Sequence, residues 1–79
     1  QDVQIKIWPN PISDLIHVNT SNKDNTLKMY DTNGKIVIEK RLQHNIAEIS
    51  VENILKGIYT VIITSSDGIN KHVQKIIKQ

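Results

Sequence analysis

Three histidines, eight acids and a C-terminal group of lysines are the side chains here with chemistry to offer. His17, His44 and His72 have the nitrogens that a divalent metal such as zinc would take. The strand pattern set out below puts His17 and His72 on solvent faces and His44 in a turn. They do not converge, and no carboxylate spacing supplements them. Oxygen-rich turns at Asn22–Asn25, with Asp24, and at Asp31–Gly34 could address calcium. Calcium takes about six to eight oxygens, usually from several carboxylates. One Asp per turn falls short, and turn chemistry accounts for the same residues.

Catalytic arrangements are also missing. There is no cysteine to act as nucleophile, and no Gly-x-Ser-x-Gly elbow positions a serine. The Asp and Glu residues are scattered over turns and outward faces, so a glycosidase pair has no support. No glycine-rich loop would cradle a phosphate. The expectation is a non-enzyme without metal or cofactor.

Two groups remain that could bind. Trp8 and Tyr30 could stack on a sugar or a protein partner, with partial burial as the plainer reading; Tyr59 reads as core. The segment Lys71–Gln79 carries three lysines and no acid. Lysines on an outer strand protect it against edge-to-edge aggregation. The same residues would make a basic, strand-like tag that a receptor could grip by strand addition.

The elements that must position these groups are short. The chain has 79 residues, enough for a single domain (1–79) with a thin core. Without cysteine, no disulfide or thiolate site can staple it. Net charge is +2, too balanced to predict nucleic-acid binding. No run approaches the roughly 20 apolar residues of a spanning helix. Gln1–Ile7 lacks a signal-peptide pattern, and the expectation is a piece excised from a longer protein.

Alternation of β-branched residues, broken by turn residues, gives an all-β reading. Strands are predicted at Val3–Trp8, Leu15–Asn19, Thr26–Tyr30, Lys35–Arg41, Ile46–Val51, Ile58–Thr64 and Ile69 to about Lys78. Pro9-Asn10-Pro11 ends the first, since two prolines remove two ladder donors. Thr20–Asn25 and Gln43–Asn45 are breaks. Asp31-Thr32-Asn33-Gly34 and Ser65-Ser66-Asp67-Gly68 are hairpin turns. Glu52–Gly57 is a compact turn in which Ile54 plugs the core and Gly57 permits a bend. Ile46–Leu55 alone also fits a helix. About seven strands in one domain predict a small antiparallel sandwich of immunoglobulin-like architecture.

Several segments together resemble the type A C-terminal sorting domains of type IX secretion substrates. Ile7-Trp8-Pro9-Asn10-Pro11, followed by Ile16 and Val18, is similar to that family's opening, an aromatic before Pro-Asn-Pro and then an apolar strand. Met29-Tyr30-Asp31-Thr32-Asn33-Gly34-Lys35-Ile36-Val37 is similar to its central motif. Ile49-Ser50-Val51 with Ile54, Gly57 and Tyr59 looks like a third block, with Ile54 where Leu is usual. Asp67-Gly68 and Lys75-Ile76-Ile77-Lys78 resemble the closing block. The blocks stand in order across essentially the whole chain. Trp8 in place of Tyr or Phe, and an outward His17, are small departures.

The resemblance implies a position at the end of a secreted Bacteroidetes protein, behind an N-terminal cargo domain. It implies transit through the periplasm and recognition by the outer-membrane translocon and its shuttle protein. It further implies removal by a sortase-like cysteine protease, typically with transfer of the cargo to anionic lipopolysaccharide. Cleavage is expected in a linker before or near Gln1, and the cargo ends at the outer membrane, on the cell surface or outside the cell. Lys71, Lys75, Ile76, Ile77, Lys78 and Gln79 are the expected recognition residues. Pro9, Asn10, Pro11, Tyr30, Asp31, Gly34, Lys35, Gly57, Tyr59 and Gly68 are the expected determinants of the fold. The competing reading is a carbohydrate- or protein-binding module, which predicts an exposed platform of Trp8 with Tyr30. A small hydrolase would need a cleft with convergent acids.

Overall fold

A strand points successive side chains to opposite faces, so every β-branched run in this chain has one face that must be covered. The computed structural model describes residues 4–21 and 23–79. It contains seven strands, β1 Ile5–Trp8, β2 Leu15–Thr20, β3 Asn25–Tyr30, β4 Ile36–Leu42, β5 Ile46–Ser50, β6 Gly57–Ser65 and β7 Lys71–Lys78. Val3, expected to open the first strand, and Asn22 of the first polar loop lie outside the described residues. All sheet pairings are antiparallel. One sheet has the order β1-β2-β5, the other β4-β3-β6-β7. The predicted all-β sandwich is the observed architecture. Among the described residues no helix is long and apolar enough to cross a membrane.

The inner faces close on each other. Ile7, Ile16, Val18 and Ile49 of the first sheet share one buried cluster with Leu27, Met29, Leu42, Tyr59, Val61, Ile63 and Ile76 of the second. Burying each such side chain stabilises by about 1.5–3 kcal/mol. Ile54 is half-buried against this cluster, as expected of a plug. The core extends to the sheet ends through polar contacts. Buried Asn25 donates from Nδ2 to Thr20 Oγ1 at 3.0 Å, which ties the start of β3 to the end of β2.

The predicted fifth strand is present, and the register and turn bonds explain two irregular places elsewhere. The helical alternative for Ile46–Leu55 gives way to β5, because the edge of β2 pairs Ile16 with Ile49 and Val18 with Ala47. The uneven alternation of β4 has a cause in the register. Met29 lies opposite Ile38 and Tyr30 opposite Ile36, so Val37 is the extra residue of a bulge. β7 starts at Lys71, not Ile69, because the preceding turn takes up the backbone first. Asp67 accepts the Ile69 N–H at 2.9 Å, and Ser65 Oγ accepts the Asn70 N–H at 3.1 Å.

Candidate docking surface on the C-terminal strand

β7 closes one edge of the four-stranded sheet. Its phase follows from its pairing with β6. Tyr59 points inward and lies opposite Ile76, so Ile76 points inward too. Ile76 is fully buried and Lys78 nearly so. This corrects their expected role as recognition contacts. Ile76 fills the core, and Lys78 lays its stem inward while its Nζ donates to the Gln79 carbonyl at 3.0 Å; long cationic side chains commonly bury their stems in this way. Lys71, Lys75 and Ile77 occupy the alternate positions and are exposed, as is Gln79. His72 shares the inner phase of Ile76, so it is half-buried, not solvent-facing; its Nε2 lies 3.1 Å from Gln74 Oε1.

The outer edge of β7 is divided. A strand residue turns its N–H and C=O to one side, and the next residue turns them to the other. Asn70 bonds back to Ser65 at 2.9 Å, so Lys71, Val73, Lys75 and Ile77 turn their backbone groups outward. The Pro-Asn-Pro segment covers the distal half of that edge. Asn10 Oδ1 accepts the Ile77 N–H at 3.1 Å, and Asn10 Nδ2 donates to the Lys75 carbonyl at 3.4 Å. Ile12 donates its N–H to the Ile77 carbonyl, and its own carbonyl accepts the Gln79 N–H, both at 2.8 Å. Pro9 and Pro11 flank this hook and, having no N–H, leave Asn10 and Ile12 to make its bonds. The segment does more than end a strand. Ile12, which sequence reasoning passed over, is fully buried. Its signal is a lone apolar residue in the polar run Pro11-Ile12-Ser13-Asp14.

The other expected fold determinants lie in turns and strand ends. Asp31 organises the β3–β4 hairpin. Its Oδ1 accepts the N–H groups of Asn33 and Lys35, both at 2.9 Å, and its own N–H donates to the Lys35 carbonyl at 2.9 Å. Gly34 has φ +81° and Gly68 +76°, in the left-handed region where other L-residues are strained. Gly57 opens β6. Tyr59 is buried and donates its hydroxyl to the Leu55 carbonyl at 2.6 Å, which fixes the loop before β6. Asp67 accepts hydrogen bonds from the Ser65 hydroxyl and the Ile69 N–H, and these hold its carboxyl below the ordinary aspartate range.

Neither competing constellation assembles. Trp8 and Tyr30 stand on the outer faces of opposite sheets, so they form no joint platform. Trp8 is 43% exposed and stacks on His17 with ring centroids 5.4 Å apart. His17 Nδ1 lies 3.2 Å from Glu48 Oε2, completing a row across β1, β2 and β5. The three histidines lie on β2, in the β4–β5 connection and on β7. Among the described residues no group of His, Cys, Asp or Glu gathers to hold a metal ion.

Comparison with known proteins points one way. Residues 6–79 match the family described as secretion system C-terminal sorting domain. No curated protein sequence matches the chain. Among solved structures, it is similar to part of PorZ, an essential bacterial surface component of the type IX secretion system of Porphyromonas gingivalis. The TM-score is 0.75 at 14% identity, over 95% of this chain and 11% of that one. This likeness is one of fold.

Proposed function

This chain belongs to the secretion system C-terminal sorting domain family, and on that premise we propose that it is the folded address by which an N-terminal cargo crosses the outer membrane through the type IX system. The family is a secretion-signal family and not a catalytic one. Membership carries an interaction with the secretion machinery and delivery to the cell surface or exterior. In finer detail, the reading is that the domain arrives through the periplasm and is recognised by the outer-membrane translocon and its shuttle protein. A sortase-like protease then separates it from the cargo, which stays at the outer membrane or cell surface or leaves the cell.

Recognition falls on the proximal half of β7. The observation that carries this is the divided edge: Asn10 and Ile12 cover the distal half, while among the described residues no strand pairs with the outward backbone groups of Lys71 and Val73. An open edge of this kind accepts an added strand. Lys71 and Lys75 present charge beside it, and Ile77 an apolar side chain. Deleting the whole terminus would not test this, because Ile76 is core.

Val73→Pro is the cleaner probe. The Val73 N–H makes no bond within the sheet, so proline leaves the internal ladder intact while blocking a partner strand. A reporter fused ahead of this domain, in a cell with a type IX system, should be exported with the parent sequence and retained with Val73→Pro at unchanged melting temperature. Equal export of both would exclude strand addition at this edge.

A further inference from the structure

We infer that the outer face of the four-stranded sheet is a protein-docking surface, and that its partner presents apolar contacts set among acidic side chains. The inference rests on the sorting-domain reading and names the chemistry of the partner.

An antiparallel sheet facing water ordinarily carries polar residues on that side. Here the register sets Ile58 opposite Ile77 and Ile62 opposite Val73, which puts two aliphatic pairs outside the core, one on each side of the Thr60–Lys75 pair. Ile58, Val73 and Ile77 are each about half-exposed. Tyr30 stands on the same face, opposite Thr60. Between them lies a shallow depression whose floor and wall include Tyr30, Ile58, Thr60, Ile62 and Lys75. Exposed apolar groups set among polar ones in this way are characteristic of interaction sites.

The charge on this face is mostly basic. Lys28 lies opposite Ile62 and Lys71 opposite Thr64, beside the aliphatic pairs, and Lys75, opposite Thr60, stands between them. Arg41 follows across β3 from Thr26. Against these four cations stand Glu39, opposite Lys28, and Asp31 at one end of the depression, whose Oδ1 is already engaged by two backbone N–H groups. Among the described residues, the outer face of the other sheet offers no such bias. Its Lys6 and Glu48 balance, and its exposed aromatic, Trp8, is stacked on His17. Charge mostly of one sign steers a partner of the other sign and sets its register, while the aliphatic pairs supply the dehydrated contact.

The test is export of a reporter fused ahead of the complete chain in a type IX-competent cell, with melting temperature measured on each purified variant. One variant combines Ile58→Ser with Val73→Thr; a second combines Lys28→Glu, Lys71→Glu and Lys75→Glu. A control carries Leu15→Ser and Ile46→Ser on the opposite sheet. The expected result is a fall in export of ~tenfold or more for both face variants, with the control and a Lys-to-Arg version of the triple exported like the parent. Should the aliphatic variant melt early, the lysine triple decides alone. Parent-like export of the triple overturns the inference, and so does an equal loss in the control. It is also overturned if the face serves a second copy, seen as concentration-dependent sedimentation abolished by the variants. Co-sedimentation of the parent, but not the triple, with phosphatidylglycerol vesicles would overturn it too, by reassigning the face to a membrane. A parent that fails to carry the reporter out refutes the sorting reading itself, and the inference falls with it.

Discussion

Ile12→Ala should remove most of the stability of the fold, although Ile12 belongs to no strand. Its side chain is fully buried, and its backbone bonds to Ile77 and Gln79. Cutting a buried isoleucine back to Cβ costs about 2–5 kcal/mol, because the cavity adds to the lost transfer energy. Ile12 belongs to the shared core cluster and its backbone is bonded on both sides, so the site has little freedom to collapse and a middle value of about 3 kcal/mol is the working figure. A core of this size supplies only about 3–5 kcal/mol in total. With a urea slope near 1 kcal/mol per molar, the denaturation midpoint falls by ~3 M. Ile12→Val should cost only about 0.5–1.5 kcal/mol. The fluorescence of Trp8, the single tryptophan, reports the transition, and hydrogen exchange at the Ile77 and Gln79 amides reports the hook. If the alanine variant denatures within about 0.5 M of the parent, the hook is not a structural part of the core and the reasoning fails.

Asn10→Ala should remove about 0.5–1.5 kcal/mol and speed exchange at the Ile77 amide well before it affects the β3–β6 ladder; uniform acceleration would argue against a local clasp. Gly34→Ala should cost about 1–2 kcal/mol, all of it conformational, since a Cβ there meets nothing within 4 Å; Gly34→Asn should recover part of it, as thermal melts will show. Asp67 titrates below an ordinary aspartate, so its contribution to the β6–β7 turn is complete above the unfolded-state value and fades as pH falls through the lower folded one. The Ile69 amide shift, followed by NMR, should move in that acid window, and Asp67→Asn should abolish the movement.

Much of this architecture is readable in the residues. Ile16 and Val18 point inward as their alternation predicts, as do Leu27 with Met29 and Tyr59 with Val61 and Ile63, because each set occupies a single parity. The turns are readable for the same local reasons: Asp31 and Asp67 bond the backbone just ahead of them, and Gly34 and Gly68 take a φ that other residues resist. β7 resists the same treatment. Its apolar residues Val73, Ile76 and Ile77 fall on both parities, so its phase is decided by Tyr59 across the ladder. That distant pairing turns Ile76, Lys78 and His72 inward, against expectation. The hook is hidden for a related reason: nothing in Pro9–Ile12 signals that its partner lies at Ile77, since the bonds are long-range and chosen by the closed sandwich.

The clasp between Ile12 and Gln79 also constrains when this polypeptide can finish folding. Contacts separated by nearly the full length of a chain are costly to close and form slowly. The segment from β7 to Gln79 provides Ile76 to the core and Lys75, Ile77 and Gln79 to the hook. Until that stretch docks, the other strands have an incomplete interior and a bare edge on β6, so they form a pliable, unsealed precursor that becomes rigid only on its arrival.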